Sequence, residues 1–284
     1  MRIPGILNLK KQVLSFEVFP PKTWDNYQSV KSAVDDIAKL SPDFISVTYG
    51  AGGGTSDYTV DIVKHIKNYG ITPLAHLSCI SSTKEEVLKI LGRLKELGIK
   101  NVLALRGDIP NNFNGNLEYR YASDLVKEIA DFGGFCIGGA CYPEGHPESP
   151  TLYSDIDNLK RKVDCGCDFL TTQMFFDNDL YYSFLSKVRD AGIYVPVIAG
   201  VMPVTNGAQI KRMMALSGGT LPTRFKRIID KFGDKPAAMK QAGIAYVTEQ
   251  IIDLYANGVR AVHVYSMNKP DVATAIKANL SEIL

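Results

Sequence analysis

The sequence is poor in everything that binds metal, sulfur or membrane. Its five cysteines, Cys79, Cys136, Cys141, Cys165 and Cys167, are odd in number and make no Cys-x-x-Cys pair. That spacing argues against structural disulfides and supplies no zinc or iron–sulfur framework. Cys165-Gly166-Cys167 reads as two small buried residues ending a helix. No run of about 18 apolar residues exists, so no membrane-spanning helix is expected. The start, Met1-Arg2-Ile3-Pro4-Gly5, lacks the apolar core of a signal peptide, and a cytoplasmic protein is the default expectation. Lys and Arg (32) nearly balance Asp and Glu (30) and are spread along the chain, which argues against nucleic-acid and polybasic membrane partners. No strand-like run is followed by Gly-x-Gly-x-x-Gly opening a helix, so the dinucleotide fold is disfavoured. No His-x-His or carboxylate spacing accompanies His76 or His146, and no metal is expected. Any redox chemistry must therefore come from a bound organic cofactor.

What remains is a repeated unit. The 284 residues, 45% apolar and 22% charged, suit one large core. Apolar runs of strand length alternate with helical periods: 14–19, 44–48, 72–76, 101–105, 135–141, 169–173, 195–199 and 261–265. Helical stripes follow each, such as Val30, Val34, Ile37 and Leu40, or Val87, Leu91, Leu94 and Leu97. Extra helical pieces fill about 206–257. Eight strands, each followed by a helix, predict a single (β/α)8 TIM barrel over 1–284, with extra helices between strands seven and eight and no second domain. A doubly wound sheet is the runner-up.

Such barrels carry their chemistry at the C-terminal ends of the strands. There the sequence places Glu17, Thr48-Tyr49, His76, Arg106-Gly107-Asp108, Tyr142 to His146, Gln173 and Tyr265. Glu17 interrupts the apolar run Phe16-Glu17-Val18-Phe19 on the face opposite Phe16 and Val18, just before Pro20-Pro21 ends the strand. A carboxyl there is costly unless it is paired or at work. Arg106 and Asp108, around a flexible Gly107, are expected to address a ligand or each other. His76 is expected to be a satisfied histidine or a hydrogen-bond donor to a ligand, and His263 a core residue. Asp155, Asn158 and Lys162 share a helix face, with Arg161 between it and the next. No lysine closes strands one to seven, which argues against a Schiff-base aldolase.

These blocks resemble one family. Ser15-Phe16-Glu17-Val18-Phe19-Pro20-Pro21-Lys22, Val47-Thr48-Tyr49-Gly50-Ala51-Gly52-Gly53, Leu105-Arg106-Gly107-Asp108, Tyr142-Pro143-Glu144-Gly145-His146-Pro147-Glu148, Asp168 to Gln173, Gly200 to Val204 and His263 to Asn268 are similar, in order, to the methylenetetrahydrofolate reductases. The resemblance implies the short bacterial form without a regulatory domain, FAD as cofactor, and reduction of 5,10-methylenetetrahydrofolate to 5-methyltetrahydrofolate in one-carbon metabolism. It implies that Thr48, Tyr49, Ala51, His76, Arg106, Gly107, Asp108, Tyr142, His146, Asp155, Asn158, Arg161 and Lys162 hold FAD. Gln173, Gln209, Tyr265 and Lys269 would line the folate side. Glu17 would be the general acid that opens the folate ring to a 5-iminium cation, a role requiring a pKa well above about 4.3. Asp108 would sit beside pterin and flavin, and hydride would come from N5 of reduced FAD.

Two positions depart from the family pattern: Met213 replaces a phenylalanine, and Lys269 an arginine that grips the glutamate tail. Lysine keeps the charge but not the bidentate fork. The expected partners are methylenetetrahydrofolate, NADH or NADPH, and a second copy or a partner subunit. The alternative expectation is a flavin-carrying subunit that receives electrons through such a partner rather than directly from NADH.

Overall fold

A computed structural model describes residues 1–21, 23–49, 55–80, 82–108, 118–217 and 219–284. Eight parallel strands close into a barrel in sequence order. They are β1 (Val13–Val18), β2 (Phe44–Val47), β3 (Thr72–Ser78), β4 (Asn101–Leu105), β5 (Cys136–Cys141), β6 (Phe169–Thr172), β7 (Val197–Val201) and β8 (Ala261–Val264). Closure is made by β1, which pairs with β2 (Phe16↔Ile45) on one side and β8 (Phe16↔Val264) on the other.

The alternation within each strand decides the layers. In β1, Leu14, Phe16 and Val18 join the large outer core beneath the helices. Val13 joins the barrel interior, along with Phe44, Leu74, Leu103, Cys136, Phe169, Ile198 and Ala261. The outer ring is α2 (Tyr27–Ala38), α3 (Thr55–Asn68), α4 (Lys84–Glu96), α5 (Ala122–Phe132), α6 (Leu152–Asp164), α7 (Asn178–Asp190), α10 (Pro236–Ala256) and α11 (Pro270–Asn279), packed through apolar stripes. In α4 that stripe is Val87, Ile90, Leu91 and Leu94, all buried, at the i, i+3, i+4, i+7 spacing that makes one helix face. A capping box starts the helix: Thr83 N donates to Glu86 Oε2 at 2.8 Å and Glu86 N to Thr83 Oγ1 at 3.2 Å, satisfying two otherwise orphaned amides.

The extra helices expected between strands seven and eight are α8 (Gly207–Ser217) and α9 (Thr223–Phe232), which pack against the first half of α10. They enclose a satellite core of Met174, Phe176, Met202, Val204, Ile210, Phe225, Ile229 and Met239, against which Met213 and Tyr265 pack. This shelf lies beside the mouth, because Met174 and Phe176 follow β6 while Met202 and Val204 follow β7.

Three local features differ from the sequence reading. A first helix, α1 (Ile3–Leu9), has no counterpart in it. The helix buries Ile3, Ile6 and Leu7 against the inward residues at the N-terminal end of the barrel. It is tied there by Asn101, whose Oδ1 accepts from Ile3 N at 3.0 Å and whose Nδ2 donates to Met1 O at 3.0 Å. Strand three runs on to Ser78, so His76 is inside the strand rather than at its end. Strand seven begins at Val197, after Pro196, which has no N–H to pair but accepts from Leu170 N through its carbonyl at 2.8 Å. Among the described residues, no helix is long and apolar enough to cross a membrane.

Candidate active site

Moving up the barrel interior, the apolar floor gives way to a polar tier. Ser15 and Ser46, one pleat above Val13 and Phe44, both reach the ring of His263. Ser15 Oγ lies 2.7 Å from Nδ1 and also donates to Val262 O at 3.2 Å. Ser46 Oγ lies 2.9 Å from Nε2. The set closes when Nδ1 carries the hydrogen toward Ser15 and Ser46 donates to Nε2. His263 also stacks on Phe44 (5.5 Å between ring centres) and meets the edge of Tyr265 (5.4 Å). Burial lowers its pKa to about 3, with His76 adding to the shift, so the ring is neutral.

One pleat higher is Glu17, 7% exposed. No hydrogen bond reaches its carboxyl among the described residues, and burial pushes its pKa up to about 8. Its Oε2 lies 3.7 Å from His76 Nε2. Burial lowers His76 to about 3. At neutral pH this contact is therefore a protonated acid beside a neutral imidazole, not an ion pair. His76 Nε2 is buried and has no hydrogen-bond partner among the described residues, which goes against the expectation of a satisfied histidine and favours the other reading, a hydrogen-bond group for a ligand. Across the mouth, Tyr265 OH donates to Thr172 O at 2.5 Å. Gly200 makes room for this contact: a Cβ there would sit 2.4 Å from that hydroxyl and 2.3 Å from Thr172 O.

Past β4, Gly107 adopts φ +86° and lies against Ser78 and Ile80, a turn that a side chain would obstruct. Arg106 does not pair with Asp108. Its guanidinium grips Glu148 with both arms at 2.6 Å, and that pairing raises the Arg106 pKa and lowers that of Glu148. Asp108 is exposed at the rim. On the β5 side the ring of Tyr142 meets His146 edge-on at 4.7 Å. His146 Nδ1 accepts from Glu148 N at 3.1 Å, and Asp155 Oδ1 accepts from Ser149 Oγ at 3.0 Å. Gln173 N donates to Cys141 O at 2.7 Å, while its own Oε1 accepts from Met174 N at 2.9 Å. Lys269 Nζ donates to Thr205 Oγ1 at 2.6 Å.

Glu17, His76, Arg106, Gly107, Asp108, Tyr142, His146, Gln173, Tyr265 and Lys269 thus lie in the upper barrel interior or on the segments leaving the strands' C-terminal ends, as do Thr48 and Tyr49 after β2. The α6 residues divide. Lys162 is half-buried, donating to Ala140 O at 2.5 Å with its pKa lowered by desolvation, whereas Asn158 and Arg161 are exposed. Gln209 is exposed in the first turn of α8. Ala51 and the glycine run around it fall outside the described residues. Sequence reasoning missed Ser15, Ser46, Glu148 as the partner of Arg106, and the segment Ser266–Asn268. Among the described residues no group of His, Cys, Asp and Glu is placed to hold a metal ion, and all five thiols are free.

Comparison with known proteins decides the family. The family model described as methylenetetrahydrofolate reductase matches residues 2–281. The chain belongs to the methylenetetrahydrofolate reductase family. It is 38% identical over 267 residues to the 5,10-methylenetetrahydrofolate reductase of Escherichia coli (strain K12), covering 93% of this chain and 88% of that protein. It is 35% identical over 264 residues, with the same coverage, to the enzyme of that name from Pectobacterium carotovorum subsp. carotovorum. Methylenetetrahydrofolate reductase (NADH) 1 of Arabidopsis thaliana is 32% identical over 300 residues, covering 99% of this chain and 50% of that protein. Among solved structures, a Clostridium thermocellum protein described as binding two copies of 5-methyl-5,6,7,8-tetrahydrofolic acid matches with a TM-score of 0.68. At 15% identity over the full length of both chains, that likeness speaks to the fold alone. The chain is thus an oxidoreductase of the methylenetetrahydrofolate reductase family on a (β/α)8 barrel.

Proposed function

We propose that the chain reduces 5,10-methylenetetrahydrofolate to 5-methyltetrahydrofolate with FAD as its cofactor, NADH as the donor to test first, and Glu17 as the general acid. One observation carries this reading: a buried carboxyl with its pKa pushed up to about 8 at the barrel mouth, beside a buried histidine nitrogen that has no partner among the described residues. The unpartnered His76 Nε2 fits a planar heterocycle that brings its own hydrogen-bonding edge into the mouth. Thr48, Tyr49, Ala51, His76, Arg106, Gly107, Asp108, Tyr142, His146, Asp155, Asn158, Arg161 and Lys162 would hold FAD. Arg106 would exchange Glu148 for a phosphate, a bidentate swap its fork geometry allows. Reduced FAD, when bound, supplies hydride.

The chain's own residues do the remaining work. Glu17 keeps its proton at neutral pH and gives it to N10 of the folate as the bridge opens, a transfer worth about 10²–10⁴-fold. His76 stays neutral beside it and adds no competing positive charge. Asp108, at the rim, stabilises the cationic carbon left behind. Gln173, Gln209, Tyr265 and Lys269 would line the folate side, Lys269 offering charge to an anionic tail without a bidentate fork.

A second reading, a flavin-carrying subunit fed by a partner, is favoured by Met213. It packs on the α8–α10 shelf where the family pattern has an aromatic ring. The deciding experiment is an anaerobic visible spectrum of the purified protein before and after NADH, followed by methylenetetrahydrofolate. Flavin bands that bleach with NADH and return with folate support the first reading. Bands that persist with NADH but bleach with dithionite and return with folate support the second. A colourless protein that cannot be reconstituted with FAD overturns both.

A further inference from the structure

The carboxyl of Glu17 hangs from the first residue beyond the shared ladder of β1 and β8, whose register ends at Phe16↔Val264. Past that point the β8 chain turns to β7, Tyr265 N donating to Val201 O at 2.9 Å. Pro20 and Pro21 have no N–H with which to continue β1. On the β8 side, the end of β1 is held by side chains instead. Ser266 Oγ, buried, donates to Glu17 O at 2.9 Å. Asn268 takes both backbone groups of Phe19: Oδ1 accepts from its N–H at 2.7 Å and Nδ2 donates to its C=O at 3.0 Å. A side-chain amide thus makes the donor–acceptor pair that a neighbouring strand would make.

The chain adopts an uncommon conformation to do this. Met267 and Asn268 have φ of 55° and 54°, and apart from Ser41 they are the only non-glycine residues with positive φ among those described. Left-handed backbone at a non-glycine residue is disfavoured by roughly 1–2 kcal/mol, least for asparagine. Two in succession are kept beside the end of β1, 249 residues away in sequence. Strain retained at a functional site points to a geometry the site requires.

We propose that Asn268, backed by Ser266, is the positioning residue for Glu17, fixing the end of β1 so that the acid's proton is aimed at the folate leaving nitrogen. The proposal rests on the reading of Glu17 as the acid. Without the clamp, the tie left at the end of β1 among the described residues is on the β2 side, where Thr48 N donates to Val18 O at 3.0 Å. Misplacing a catalytic group by about 1 Å can cost on the order of 100-fold in rate.

The test is the pair Asn268→Gly and Asn268→Asp in the FAD-loaded enzyme, followed anaerobically by stopped-flow absorbance. Glycine removes the two Asn268 contacts and the left-handed strain at that position together, so their effects on stability oppose while positioning is lost. Aspartate keeps the acceptor for Phe19 N–H and loses the donor. Expected for Asn268→Gly are unchanged flavin content, flavin reduction and thermal midpoint, with kcat for folate-dependent reoxidation down at least about tenfold and KM within about threefold. Asn268→Asp recovers part of the loss. A folate step as fast as wild type overturns the proposal. So does a rise in KM alone, which would assign the effect to the neighbouring Lys269, and so does a parallel fall in midpoint, flavin content and both half-reactions, which would make the clamp only structural. A wild-type enzyme inert toward methylenetetrahydrofolate overturns the functional reading itself, a result distinct from an active wild type with an equally active glycine variant.

Discussion

The two ends of the barrel are built from the same strands and behave as different materials. At the N-terminal end, Val13, Phe44, Phe169 and Ile198 fill the interior and α1 seals it with Ile3, Ile6 and Leu7, all buried. Two residues further along the barrel interior, Ser15, Ser46 and His263 form a satisfied polar tier, and beyond it Glu17 and His76 stand neutral, without a hydrogen-bond partner for the Glu17 carboxyl or His76 Nε2 among the described residues. The lower end gains stability from closed packing. The upper end gives some of it up, because a buried group without a partner costs about 1–3 kcal/mol. In the polar tier between them, burial keeps His263 neutral beneath the acid. Reactive groups can be left unsatisfied here because the floor beneath them is rigid.

The sharpest way to break this contrast is at the acid. Glu17→Gln is expected to retain FAD and its reduction by the donor and to lose folate reduction by about 10²–10⁴-fold, read by stopped-flow absorbance. Normal turnover would remove Glu17 from the mechanism. At the other end, Phe169→Ala should destabilise the fold by about 3–5 kcal/mol in urea denaturation, since its fully buried ring fills the floor. The protein that remains folded should keep close to wild-type turnover at low temperature. A comparable loss in kcat of the folded fraction would show that the two ends are not separable.

Stability against pH sharpens the comparison further. In the folded chain Glu17 holds a proton up to about pH 8 that the unfolded chain releases above about 4.5, so this group weakens the fold as pH rises through that window. His76 and His263 act oppositely: the unfolded chain binds protons below about 6.5 that the fold refuses down to about 3, so stability falls as pH drops through that range. Together these three groups put the contribution of the site at its most favourable near pH 6.5. Glu17→Gln should abolish the decline between pH 6.5 and 8 and raise stability at pH 8 by on the order of a few kcal/mol. A variant with the wild-type slope in chemical denaturation would mean that Glu17 is ionised in the fold.

The smallest effect lies at the rim. Glu148→Gln frees Arg106 from a pair whose acid is largely exposed. Because such pairs are worth about 0.2–1 kcal/mol, FAD should bind tighter by no more than several-fold in fluorescence titration. Weaker binding would show that Glu148 orients Arg106 rather than competing for it.

Much of this molecule was legible in the sequence, for identifiable reasons. The strands and the helices between β7 and β8 follow from apolar periodicity, and Glu17 stood out as a charge inside an apolar run that two prolines cut short. The helix α1 did not show, because seven residues carry too little periodicity to read. For Arg106 the sequence offered a ligand or its near neighbour Asp108, whereas the partner in the structure, Glu148, lies 42 residues on. The role of Asn268 is not legible in the sequence, because the backbone it holds is brought to it by barrel closure. Pairings within one strand–helix unit are written locally; those that aim the acid come from the topology.

The central claim is that a buried, protonated Glu17 drives folate reduction, and the most direct measurement is the pH dependence of one half-reaction. The enzyme's flavin is reduced anaerobically and mixed with methylenetetrahydrofolate across pH 6–9, and the rate of reoxidation is recorded for wild type and Glu17→Gln. The account predicts a wild-type rate that is level below about pH 8 and falls about tenfold per pH unit above it, with the variant slow throughout. A rate in wild type that stays level to pH 9, or a variant that matches it, would contradict the account.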